Sequence, residues 1–211
     1  MNFKFLRIEM HICTLKWNTR FGRDFTRRLP GVVVNRSQED KQMAQSVRDV
    51  FVVGLKNAHA VENEALSIMN RQIERLESYP ELADRLRGHV EETNGQLDRL
   101  DKILHELGEE SSTFKDTAAS MMGSMAALGH TVADDEILKN AFADFAFENY
   151  EIAAYRSLIS MAEAGGFNAA VPLLSATLTE EEAMARWLAD HLPRVTDRYL
   201  SLQEQGAAAQ R

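Results

Sequence analysis

Three acids, Glu62, Glu148 and Glu181, fall where helical patterning calls for an apolar side chain, and three further candidates accompany them: His89, Glu92 at its stripe's edge, and Glu151. Glu62 interrupts a ladder that steps by three or four through Phe51, Leu55, Ala58, Ala65, Met69 and Leu76. Glu148 does the same among Leu138, Ala141, Phe145, Ile152 and Tyr155, and Glu181 among Leu174, Leu178, Ala185 and Leu188. His89 and Glu92, at i and i+3, offer a nitrogen and an oxygen ligand on one helix face. Glu151 follows Glu148 by one turn, on the side shared with Asp144 and Tyr155. Each acid lies near the middle of its ladder, so four packed antiparallel helices of similar length would bring them to one layer in the core.

Ionised carboxylates cannot share such a layer uncompensated. Each desolvation costs several kcal/mol, and like charges about 4 Å apart add roughly 4 kcal/mol per pair at an effective dielectric near 20. One or two divalent cations would neutralise them, and a carboxylate-rich shell with an imidazole suits iron or manganese in a bundle core. The expectation is a dinuclear, carboxylate-bridged iron or manganese centre. The opposing reading makes each glutamate a stripe-edge residue that reaches solvent or pairs with arginine. It explains any one of these positions more readily than three at one height. His89 stands equally as a ligand or as a core histidine satisfied by its neighbours. His59, His105, His130 and His191 have no partner at ligand spacing, Met121, Met122 and Met125 read as core filler, and Cys13 lacks the surroundings of a nucleophile.

The elements that must position these residues are helices. Helix A is expected over 46–78 and helix B over 80–107, with Pro80 in the first turn of B and Gly108 as its stop. The short joint makes them an antiparallel hairpin. A short helix over 113–128 forms the crossover, and helix C over 134–164 ends at Gly165-Gly166. Helix D begins near Phe167 and is kinked or ended by Pro193, leaving a short C-terminal helix over 194–205. Two hairpins joined by a longer connection are the layout of an all-α, ferritin-like four-helix bundle. The expected division is a basic arm over 1–42, the bundle over 43–205 and a disordered tail over 206–211.

Composition agrees. The chain has 211 residues, 11 Gly, 4 Pro and 8% aromatics, which favours long helices over a multi-stranded sheet. A single cysteine excludes an intramolecular disulfide or a multi-thiolate metal site and fits a reducing compartment. The net charge of −8 divides into about +5 over residues 1–41, with nine bases and four acids, and about −13 over the rest. So acidic a body would repel nucleic-acid phosphates. The arm reads as disordered chain or as a start assigned ahead of Met43, as a partner-binding or nucleic-acid arm, or as an organelle transit segment. No secretory signal and no apolar stretch of 18 residues is found, so no membrane span is expected.

The segments Ala60-Val-Glu-Asn-Glu-Ala-Leu66, His89-Val-Glu-Glu-Thr-Asn-Gly-Gln-Leu-Asp-Arg-Leu100, Glu148-Asn-Tyr-Glu-Ile-Ala-Ala-Tyr155 and Leu178-Thr-Glu-Glu-Glu182 resemble the YciE/YciF stress-protein family of the ferritin-like superfamily. The likeness spans about 46–204 and omits 1–42. It implies a bacterial cytoplasmic protein, a homodimer of helical bundles and induction under osmotic or oxidative stress. Many ferritin-like relatives carry Glu-x-x-His on two helices. Here the third residue after Glu92 is Gly95 and after Glu181 is Met184, while helix B holds the reversed order His89-x-x-Glu92, with Gln96 where a second histidine could stand. A nitrogen-poor site of this kind should still bind iron or manganese, with oxygen or peroxide as a small-molecule substrate, but its ligands weigh against strong ferroxidase or peroxidase turnover. The alternative is a non-catalytic dimeric helical scaffold with a vestigial site.

Overall fold

The computed structural model describes residues 36–110, 135–207 and 209. They form four helices: α1 (Arg36–Ile73), α2 (Pro80–Glu106), α3 (Glu136–Gly165) and α4 (Ala170–Glu204). The expected crossover helix over 113–128 lies outside the described residues, as do residues 1–35 of the basic arm. Residues 36–42, assigned to that arm from sequence, already belong to α1.

Buried positions follow a four-three alternation on every helix. On α1 these are Phe51, Leu55, Ala58, Glu62, Ala65, Met69, Gln72 and Leu76 just past its end; on α3 they are Ile137, Ala141, Asp144, Glu148, Glu151, Tyr155, Leu158 and Ala162. This strict heptad keeps one seam facing the partners, as in left-handed bundle packing. Here the sequence ladder for helix C is corrected. It takes Leu138, Phe145, Ile152 and Ile159, but the structure buries the residue before each of them, and the apolar residues become flanks. The heptad therefore carries Asp144 and Glu151 into the core.

Phe51 and Leu55 pack with Leu100 and Leu104, with Leu158 and Ala162, and with Ala170 and Leu174. The start of α1 thus meets the end of α2, the end of α3 and the start of α4, which is the antiparallel arrangement. A second apolar cluster fills the other end, around Met69, Leu86, Ile137, Met184 and Leu188. Between the two clusters lies a polar layer.

Turns are set by residues the sequence already marks. Pro80 starts α2, and Gly108 follows it with φ +73°. Gly166, at φ +74°, caps α3, and Phe167 N–H then donates to the Ala162 carbonyl at 2.8 Å, closing a left-handed cap of the Schellman type. Phe167 stacks on Phe51 with ring centroids 5.0 Å apart, which fixes the second hairpin against α1.

At the C-terminus two expectations are corrected. Helix α4 runs through Pro193 to Glu204, so 194–205 is no separate helix. Pro193 and Ala189, whose carbonyl loses its donor, are both exposed, so the missing bond falls on the helix face that solvent can reach. Nor is 206–211 a free tail throughout: Ala209 is fully buried and its carbonyl accepts the Tyr79 hydroxyl at 2.5 Å.

Gly88 and Gly166 should respond oppositely to alanine. A Cβ on Gly88 meets only the tip of Arg85, at 3.6 Å, inside a helix, whereas Gly166 has positive φ. Urea denaturation should show Gly88→Ala stabilising by about 0.5–1 kcal/mol and Gly166→Ala destabilising by about 1 kcal/mol.

Candidate metal centre

Each helix delivers one or more members of the polar layer through heptad positions that are otherwise buried and mostly apolar. Glu62 comes from α1, His89 from α2, Glu148 and Glu151 from α3, and Glu181 from α4, and all five are 5% exposed or less. His89 Nε2 lies 3.2 Å from Glu148 Oε2 and 3.6 Å from Glu181 Oε2. One ligand atom from each of these three residues falls within 4.8 Å of the others. With ligand bonds of roughly 2.1 Å, one cation could take all three after side-chain shifts of a few tenths of an ångström.

Glu92 stands apart from that convergence. Its Oε2 accepts from His89 Nδ1 at 2.7 Å and from Arg85 at 3.0 Å, and its side chain is one-third exposed. A carboxylate can only accept here, so Nδ1 carries the proton and Nε2 is the nitrogen turned inward. Glu92 thus orients the imidazole, a role that ligand spacing alone does not distinguish from ligation.

Gln96, fully buried one turn beyond Thr93, donates from Nε2 to Glu181 Oε1 and, at 3.1 Å, to Glu180 Oε2. Arg99 donates to Glu180 and, at 3.0 Å, to Thr177 Oγ1. The position open to a second histidine is therefore occupied by an amide that holds Glu181 in place. Tyr155 donates its hydroxyl to Glu62 Oε1 at 2.5 Å. Sequence reasoning passed over Arg85, Thr93, Arg99 and Thr177; their signal is their place on the same α2 and α4 faces, a turn from the acids.

Charge is unevenly compensated. Burial acts most strongly on His89 and lowers its basicity, but hydrogen bonding to Glu148, Glu181 and Glu92 outweighs it and pushes the pKa up to about 12. Burial, with Glu181 nearby, pushes Glu62 up to about 8, and burial with Glu148 facing it brings Glu181 to about 7. Glu151 rises well above the carboxylate range, first through burial and then through Glu62, Glu181 and Glu148. Burial raises Glu92 but its bonds to His89 and Arg85 prevail and lower it. No donor meets Glu151 Oε1, and Glu148 Oε2 and Glu181 Oε2 face only His89 Nε2, at ion-pair distance. Under-compensated carboxylate oxygens around an inward-facing imidazole nitrogen are what a hard or borderline cation would satisfy, so this donor set fits iron or manganese.

One turn before Glu148, Asp144 forms a smaller buried pair with Gln72, whose Nε2 donates to Oδ1 at 2.8 Å. Asp144 Oδ2 and Gln72 Oε1 have no partner, and burial pushes Asp144 up to about 7 from 3.8. A carboxyl with a raised folded-state pKa contributes stability that is fully present below its unfolded value and lost as pH rises through the folded value. Asp144→Asn keeps the acceptor and adds a buried donor without charge. Thermal or urea denaturation of metal-free protein should find the variant more stable than wild type at pH 8, by on the order of 2–4 kcal/mol, with the difference vanishing towards pH 4.

Known proteins share this architecture. The family described as Domain of unknown function (DUF892) matches residues 46–201. Protein YciF of Escherichia coli (strain K12) is 30% identical over 149 residues, which cover 66% of this chain and 86% of YciF. Among solved structures, a Xanthomonas campestris protein aligns with a TM-score of 0.64 at 30% identity, covering 75% of this chain and 99% of that one. The E. coli stress protein YciF aligns at 0.60 and 26% identity, over 69% and 94% of the two chains. YcfI from Rhodopseudomonas palustris aligns at 0.60 and 27%, over 68% and 92%. Matched over most of its length, the chain belongs to the DUF892 family and is a YciF-like helical-bundle protein.

Proposed function

We propose that this protein binds a dinuclear, carboxylate-bridged iron or manganese centre in the bundle core and serves bacterial stress response by handling iron or peroxide. The observation that carries it is the under-compensated buried layer, in which Glu148 and Glu181 converge on His89 Nε2 and Glu151 Oε1 has no partner. His89, Glu148 and Glu181 would hold one cation. Glu62 and Glu151 would serve the second, sharing carboxylates with the first. When bound, the metal would supply one-electron redox steps that no side chain here provides. The chain's own residues orient and enclose: Glu92 and Arg85 fix the His89 ring, Gln96 holds Glu181, Tyr155 holds Glu62, and the two apolar clusters close the two ends of the layer.

The stress setting is that named for YciF, and a cytoplasmic homodimer is part of the same proposal. No helix among the described residues is long and apolar enough to cross a membrane. Light scattering at micromolar concentration should give twice the chain mass; a monomer mass would remove the dimer.

Metal-free protein titrated anaerobically with ferrous or manganous ion should take up two ions per chain. Glu148→Ala should bind at most one, by elemental analysis of the desalted protein, and unchanged stoichiometry would end the reading.

A second reading has its own observation. Protonated His89 lies within ion-pair distance of Glu148 and Glu181, and Tyr155 and Gln96 donate to Glu62 and Glu181, so the layer has a metal-free form with much of its charge answered. On that reading the chain is a helical scaffold with a vestigial site. The two readings separate in a melting experiment. Free metal at one hundred times Kd adds about 2.7 kcal/mol, which raises Tm by roughly 5–10 °C for a bundle of this size. A Tm indifferent to both metal and chelator favours the scaffold.

A further inference from the structure

A cavity of about 150 Å³ lies between α1 and α3. Apart from the amide of Asn57, its walls are small or apolar: Gly54, Ala58, Val61, Ala154, Leu158 and Met161. Its rim includes the exposed Tyr150 and Ser157, and its floor is Glu62, Glu151 and Tyr155, each 2% exposed or less. The gap thus leads from the surface to the end of the polar layer farther from His89's ion pairs. Gly54 has only hydrogen where a Cβ would stand 2.8 Å from Leu158 Cδ2, so the two helices approach closely along one wall while the space beside them remains open.

The lining selects among visitors. About five water-sized molecules fit at roughly 30 Å³ each, which excludes a cofactor or metabolite of ordinary size. Anions meet Glu62 and Glu151 at the floor. A divalent cation that keeps its six waters needs roughly 180 Å³ at about 30 Å³ each, more than the cavity holds. A small neutral molecule meets neither obstacle. Glu151 Oε1, buried and without a partner, rewards a visitor that can donate or accept a hydrogen bond, according to the proton it carries. Dioxygen donates none, whereas hydrogen peroxide does both.

We propose that the α1–α3 cavity is the route by which hydrogen peroxide, a small neutral hydrogen-bonding molecule, reaches the Glu62–Glu151 end of the centre. This inference rests on the metal-binding reading for what peroxide meets there; admission to the cavity does not. Ala154 lines the cavity, and its neighbour Ala153 is exposed outside it. Ala154→Leu fills the passage, Ala153→Leu is the control, and Ser157→Leu narrows the rim at an exposed position should Ala154→Leu fail to fold.

Two measurements decide it. Metal-free crystals soaked in methanol, a stable two-heavy-atom probe, should show its hydroxyl on Glu151 Oε1 in wild type and none in Ala154→Leu; an empty wild-type cavity would overturn the proposal. Anaerobic ferrous protein mixed with hydrogen peroxide in stopped flow should oxidise at least tenfold more slowly in Ala154→Leu than in wild type or Ala153→Leu, at equal iron content. Equal rates would overturn it as well. If no variant binds iron, the metal reading falls while the methanol experiment still decides whether the cavity admits such a molecule.

Discussion

Charge compensation in a dry layer governs this bundle. Four acids on three helices leave water together, and only one imidazole enters among them. Neutral donors take part of the load: Gln96 on Glu181, Tyr155 on Glu62. Arginines stand outside the layer and act through intermediaries, Arg85 through Glu92 and Arg99 through Glu180. Compensation is therefore densest around His89 and thinnest at Glu151, which has acids on several sides and an oxygen without a partner.

Stability alone gives no reason for such a layer. Replacing buried ionic groups with well-packed apolar residues is often neutral or stabilising, and the neighbouring heptad positions show that this backbone accepts Leu86, Leu158 and Leu188 without difficulty. The two apolar clusters supply the cohesion, one at each end, and the layer between them interrupts a core that would otherwise be continuous. A feature that costs stability and is built from side chains on all four helices points to a ligand.

Much of this was legible in the sequence because helical period and chemistry disagree at particular residues. Glu62, Glu148 and Glu181 interrupt apolar ladders, and antiparallel packing brings them to one layer although the helices run from 27 to 38 residues. Helix ends at Pro80, Gly108 and Gly166 were marked by residues whose backbone preferences admit few alternatives. What escaped was register and direction. A ladder read by seeking apolar residues slides to Phe145 and Ile152, whereas the heptad set by Ala141, Glu148 and Tyr155 buries Asp144 and Glu151. The i, i+3 spacing of His89 and Glu92 shows a shared face but not which way the carboxylate turns. Pro193 reads as a break because sequence does not reveal that it and Ala189 lie on an exposed helix face, and Ala209 reads as tail because its partner Tyr79 is 130 residues away.

The layer is also divided unequally between the two halves of the chain. The first hairpin holds His89 with Glu62; the second holds Glu148, Glu151 and Glu181, with no cationic side chain among its layer residues. On the second hairpin alone the three acids would lie on an open, hydrated face. The cost of burying them arises only when the first hairpin covers that face, and the same docking brings His89 among them. Demand and counter-charge therefore arrive together, through contacts of long sequence separation.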